Sequence, residues 1–442
     1  MPSARQIFVY ISLAFILLFF ILYPVADRLS EAFPDLVNND ENRRVVIVGD
    51  IHGMHEKLLE LLSKLSFNPS SDVLVSVGDI LTKGPHTGSM AVLDFLASNN
   101  ATAVRGNHDQ KVLEWRSWLN WIQSMKGGQA WLKHAIKEWE NAQEKGEEDI
   151  EDWVDWKMKH DTIHRKWWRR VPNRQFLGDH FEIAMEMSTV QYDYLKSLPL
   201  KLHIPHAHAF IVHGGLLASD PNYKPTHSRQ PLAKVPKIPK HLAASGQNST
   251  RAYLRRAQED AILTQVPQNM VTWNVQNMRG VTRKTNQVTK YGISSVFSSQ
   301  RSDGGMSSYR DKEGRPWSKL WKNSMSMCAG FESEDRGSLP CMPATVIYGH
   351  AASRGLDIKR WSIGLDTGCV YKRQLTALVL GGKDNVLSNL SSRSTFSDDY
   401  GLDDDLEDDY DNLENKNTSR QKQYRRIRFG DNGWGRIVSV QC

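Results

Sequence analysis

Residues 43–53 read Arg43-Arg44-Val45-Val46-Ile47-Val48-Gly49-Asp50-Ile51-His52-Gly53, and the fold is decided there. Four consecutive apolar residues, entered from charge and left through glycine, predict a short strand buried on both faces. A strand of that kind belongs inside a sheet covered on both sides, as in α/β architectures. Asp50 and His52 follow it at i and i+2. The flanking glycines permit a tight turn, so a carboxylate and an imidazole leave the strand end together toward one cation.

Working outward, leucines at 58, 59, 61, 62 and 65 give helical spacing over 55–65, 72–77 reads as a strand, 90–96 as a helix and 101–104 as a third strand. Strand and helix alternating over short connections predict an α/β (α+β) domain with parallel pairing. Four more motifs each follow an expected strand: Gly78-Asp79-Ile80-Leu81-Thr82-Lys83-Gly84, Gly106-Asn107-His108-Asp109, His213-Gly214-Gly215 and Gly349-His350. Any one of them alone is an ordinary turn. Five in order, each at a strand end where α/β folds gather their sites, define a metal-binding and phosphate-facing constellation.

The five motifs resemble the pattern of the calcineurin-like metallophosphoesterases of the phosphoprotein phosphatase superfamily. Thr82-Lys83-Gly84-Pro85 and the late Leu365-Asp366-Thr367-Gly368-Cys369-Val370-Tyr371 are similar to the ApaH-like phosphatase branch, whose fungal members include vacuolar zinc-dependent endopolyphosphatases. The resemblance implies a four-layer fold with a central β-sandwich flanked by helices. It implies two divalent ions (Zn, Mn, Fe or Co), one held by Asp50, His52 and Asp79 and the other by Asp79, Asn107, His213 and His350. It also implies that His108 protonates the leaving oxygen. Protein phosphatases of the superfamily carry Asp-Arg where Thr82-Lys83 stands here, so the carboxylate that orients the general-acid histidine is missing, and Asp109 is no assured replacement. Lys83, Arg105 and Arg354 are candidate phosphate-binding cations.

The rest of the chain is expected to divide into a cytoplasmic tail (1–6), a membrane anchor (7–25), a stalk (26–42), the catalytic domain (43–382) and a mostly disordered acidic and basic tail (383–442). The uncharged run of 19 residues at 7–25 approaches the length of a membrane-crossing helix, with a cleaved signal peptide as competitor. Asn100, Asn248, Asn389 and Asn417 head N-x-S/T sequons, permissive for a luminal domain. A Trp-rich helical cap is expected over about 110–200, and an irregular insertion over about 220–342. Trp317 and Trp321 either wall the site or pack a core, and the cap tryptophans could stack nucleotide bases.

The chain carries a net charge of +6, which suits a polyanionic phosphate partner. No nucleic-acid-binding module is recognisable. Its four cysteines, without C-x-x-C pairing, exclude a zinc knuckle and a dithiol redox site, while Cys328 and Cys341 are either bridged or free. Inorganic polyphosphate is the expected substrate. Dinucleoside polyphosphates and phosphoproteins are alternatives, and a membrane scaffold with an inactive phosphatase fold is the non-enzymatic one.

Overall fold

The protein is described by a computed structural model covering residues 44–99, 101–240, 247–291, 314–333, 335, 337–381, 425–431 and 433–442. The expected membrane anchor, stalk and acidic run, and Asn100, Asn389 and Asn417, lie outside these residues, as does the side chain of Asn248. Among the described residues no helix is long and apolar enough to cross a membrane.

The apolar run around Ile47 forms β1 (Arg44–Val48), which pairs in parallel with β2 (Asp72–Ser76), itself parallel to β3 (Thr102–Ala103). On its other side β1 meets β12 (Gln374–Gly381) antiparallel, and β14 (Gly433–Gln441) and β13 (Arg425–Phe429) complete a six-stranded sheet. A second sheet has β9 (Thr345–Tyr348) at its centre, parallel to both β5 (Ala209–Val212) and β11 (Ser362–Gly364). Its edges are β4 (Lys201–Ile204) and β10 (Asp357–Lys359).

The period of two explains why β1 is apolar from Val45 to Val48. Val45 and Ile47 pack with Ile204, Ile211, Ile347 and Ile363 of the second sheet, whereas Val46 and Val48 pack with Leu58, Leu61 and Val92 of the helices outside. The second sheet turns Phe210, Val212 and Val346 outward against Ile262, Trp317 and Trp321. Helices, sheet, sheet, helices is the resulting order. Trp317 and Trp321 are therefore core residues, and Trp321 donates its indole N–H to the carbonyl of Ala344 at 3.0 Å.

Two expectations are corrected. Residues 220–342 are not irregular throughout, because they include an α-helix (Gln247–Gln265), a second (Trp317–Ser326) and the strands Gly280–Thr282, Val288–Thr289 and Gly314–Pro316. Nor are residues 383–442 a solvated tail as a whole. Arg425-Arg426-Ile427-Arg428-Phe429 alternates charge with apolar residues because β13 is an edge strand, burying Ile427 and Phe429 while its arginines face water. Val438 and Val440 of β14 are buried too. The turn between the two strands is anchored from outside: Arg255 donates to an Asp431 oxygen at 2.6 Å and Arg360 to the Gly430 carbonyl at 2.6 Å.

All four cysteines are paired, Cys328 with Cys341 and Cys369 with Cys442. The cap forms from helices between Asn107 and Ser197. Its tryptophans Trp115, Trp118, Trp131, Trp139, Trp153, Trp167 and Trp168 are buried, many of them against Phe176 and Phe181 or one another. These seven hold the cap together, whereas Trp121 and Trp156, also on cap helices, are 47% and 53% exposed.

Candidate metal centre

Six strands deliver one site. Asp50 and His52 follow β1, Asp79 follows β2, and Asn107 and His108 follow β3. His213 follows β5, His350 follows β9 and Asp366 follows β11. These are the carboxyl ends of the parallel strands of both sheets, converging where the sheets meet. His52, Asp79 and His350 all have positive φ, between 47 and 70°. Strained backbone of this kind at three of the strand exits indicates side-chain aim bought at a conformational cost. Glycine is required beside two ligands, since a Cβ at Gly106 would strike Asp79 and one at Gly349 would strike Asp50. Gly349→Ala is accordingly expected to weaken metal retention about tenfold or more with the fold intact. Metal content after dialysis checks this, and unchanged content would show that the loop relaxes.

Two groups of ligand atoms are close enough for one ion each, Asp50 with His52 and Asp79, and Asp79 with His213 and His350. The hydrogen bonds fix which nitrogens face inward. His213 Nδ1 lies 3.0 Å from the Val77 carbonyl and His52 Nδ1 lies 3.2 Å from that of Leu81, so Nε2 is the inward atom of each ring. His213 Nε2 stands 3.2 Å from Asp79 Oδ2 and 3.1 Å from Asn107 Oδ1, and His350 Nδ1 stands 2.9 Å from the same Asn107 oxygen. Lone pairs thus converge on one another, an arrangement that a cation resolves. His350 Nε2 is buried with no hydrogen-bond partner.

The titration behaviour of the site agrees with this reading. Burial, with Asp366 beside it, pushes the Asp50 carboxyl well up. Burial also acts to raise Asp79, yet His213 and His108 outweigh it and hold that carboxyl well below the usual range. Burial lowers His213, but Asp79 and Asp50 overcome it and carry its imidazole up to about 10. Without a metal, this concentration of carboxylate draws a proton onto His213. The donor set therefore fits two divalent ions, one on Asp50, His52 and Asp79 and one on Asp79, Asn107, His213 and His350. Bound there, such ions supply Lewis-acid charge for phosphoryl oxygens and make water nucleophilic near neutral pH.

Asp50, His52, Asp79, Lys83, Asn107, His108 and His350 line one pocket of about 90 Å³, together with Arg279, Ala352, Asp366 and Tyr371. Lys83 Nζ reaches within 3.4 Å of His52 Nε2. Arg105 and Arg354 are not among the lining residues. Arg105 reaches the Lys196 carbonyl at 3.4 Å, and Arg354 donates to the carbonyl of Arg279 at 3.1 Å. Arg354 thus supports the arginine that does face the pocket, which sequence reasoning missed along with Asp366. The signal for Asp366 was weak, because β11 has only three residues and too little apolar pattern to mark a strand end.

A centre of this geometry defines a metallophosphoesterase. The calcineurin-like phosphoesterase family model matches residues 43–263, half of the 442 residues, and the chain belongs to that family, as a metal-dependent hydrolase. Over 75 residues it is 45% identical to serine/threonine-protein phosphatase 1 of Salmonella typhimurium, covering 17% of this chain and 34% of that one. Over 143 residues it is 29% identical to the symmetrical bis(5'-nucleosyl)-tetraphosphatase of a Shewanella species, covering 32% and 45%. The chain thus spans less than half the length of these curated relatives. A crystal structure described provisionally as a diadenosine tetraphosphatase aligns at 24% identity over 77% of this chain and 90% of its own, with a TM-score of 0.37.

Proposed function

We propose that the chain hydrolyses phosphoanhydride bonds of a linear polyphosphate, cutting inorganic polyphosphate at internal positions. The observation that carries this reading is the row of cations at the pocket. Lys83 and Arg279 line it, and Arg373 is fixed at its edge by a 2.7 Å bond to the carbonyl of Ala352. A single phosphoryl group needs the metals alone, whereas a chain of phosphates extends onto such a rim. The late Asp366 to Tyr371 stretch resembles the ApaH-like branch, whose fungal members include vacuolar endopolyphosphatases. The apolar run at 7–25 and the two disulfides favour a membrane-anchored domain in an oxidising lumen such as the vacuole.

A second reading, hydrolysis of dinucleoside polyphosphates, is favoured by the names of the tetraphosphatase relatives and by Tyr371, whose half-exposed ring at the pocket could meet a base. The purified full chain, loaded in turn with Zn, Mn and Co, separates the two when given long-chain polyphosphate, diadenosine tetraphosphate and a phosphopeptide, with product lengths resolved on a gel. Polyphosphate shortening through intermediate sizes is the expected result. Cleavage of the dinucleotide alone would replace the first reading with the second, and cleavage of the phosphopeptide alone would remove both.

A further inference from the structure

His108 is gripped from behind by a second imidazole. Its Nδ1 lies 2.9 Å from Nε2 of His180, and the two rings stack with centroids 5.0 Å apart and planes inclined at 21°. Thr82 Oγ1 stands 3.2 Å from the same nitrogen. Asp109, the nearest carboxylate in sequence, is committed elsewhere: its oxygens accept the backbone N–H groups of Ile80, Leu81 and Gly106 at 3.0, 3.3 and 2.9 Å. With Nδ1 occupied, Nε2 is the His108 nitrogen left for the pocket. His180 is itself held in place, because it is the second residue of the helix Asp179–Glu186. That helix is tied to the Thr82-Lys83 turn by the Lys83 N–H donating to Asp179 at 2.7 Å, and to the cap by Arg116 donating to the Ala184 carbonyl at 2.8 Å.

We propose that His180 is the positioning residue for His108, in a chain whose Thr82-Lys83 turn offers no carboxylate for that part. The proposal rests on His108 as proton donor. In that step the oxygen of a water molecule bonds to phosphorus, the bond from phosphorus to the leaving oxygen breaks, and the His108 Nε2 proton passes to that oxygen. The attacking water releases the proton that restores His108, so an anhydride and water become two phosphates, and an ester and water become a hydroxyl compound and phosphate. The Nδ1 contact with His180 Nε2 and the stacking of the two rings fix the ring plane of His108 and keep its Nε2 aimed into the pocket.

The test compares His180→Phe, which keeps a ring but has no nitrogen, with His180→Gln, which retains hydrogen-bonding groups, in the metal-loaded full chain. Substrates are phenyl phosphate, whose leaving oxygen needs a proton, and 2,4-dinitrophenyl phosphate, whose leaving oxygen does not. For His180→Phe we expect kcat on phenyl phosphate to fall about a hundredfold with KM and metal content unchanged, while kcat on the dinitrophenyl ester falls less than about threefold. His180→Gln should recover most of the loss. Equal losses on both esters, a change confined to KM, or no loss at all would overturn the proposal, provided His108→Ala shows the same preference for the activated ester. If His108→Ala shows no such preference, the proton-donor reading fails first and the role of His180 falls with it.

Discussion

Asp79→Asn is expected to remove hydrolysis of every phosphate substrate, with kcat at least about a thousandfold lower, corresponding to about 4 kcal/mol of lost transition-state stabilisation. Asp79 belongs to both groups of ligand atoms, so the loss of its charge is felt at both ions. Its Oδ2 faces His213 at 3.2 Å and His52 at 3.8 Å, and its Oδ1 accepts the His108 N–H at 2.9 Å. Asparagine has nearly the same shape and can keep that last bond, so the loop geometry survives while the bridging charge does not. Metal content and turnover measured on the same sample should fall together. Retained turnover with lost metal would place the chemistry outside this centre.

Cys442→Ser is expected to cost about 4 kcal/mol of stability, from the entropy of a long closed loop in the unfolded chain. Cys369 and Cys442 are separated by 73 residues, against 13 for Cys328 and Cys341, so the matched Cys328→Ser variant should lose less, about 3 kcal/mol. Denaturant melts of the two variants check the order. Equal midpoints for wild type and Cys442→Ser would show that the pairing of β14 with β12 and β13, with the grip of Arg255 and Arg360 on the turn, holds the two strands without the disulfide.

Most of the metal centre was legible because each ligand follows a strand whose apolar run is visible and carries a residue type that binds cations. Asp50, His52, Asp79, Asn107, His213 and His350 needed no tertiary information beyond that pattern. What escaped reading depends on contacts across long stretches of chain. His180 meets His108 from 72 residues away, out of a cap whose sequence shows only helical spacing and aromatic residues. Arg279 lines the pocket with its backbone carbonyl bonded by Arg354, while Arg354 and Arg105, close to motifs in sequence, are not among the lining residues. The strand at Arg425–Phe429 hid inside a basic run, since an edge strand with one wet face is compositionally close to a solvated segment. Trp317 shows the opposite case, where a local motif suggested a site wall and packing against Tyr348 in the core claimed the ring.

The ligands are shared between the two sheets, with Asp50, His52, Asp79 and Asn107 carried by one and His213 and His350 by the other. An ion held by Asp79, Asn107, His213 and His350 would be a rivet through the sandwich, tying the lie of one layer on the other to the ligands that hold it. Ile47, Ile211 and Ile347 touch no metal, yet they set the spacing between the plates. Shaving any of them should register in metal affinity, turning the dry interior of the sandwich into a remote tuner of the chemistry at its rim.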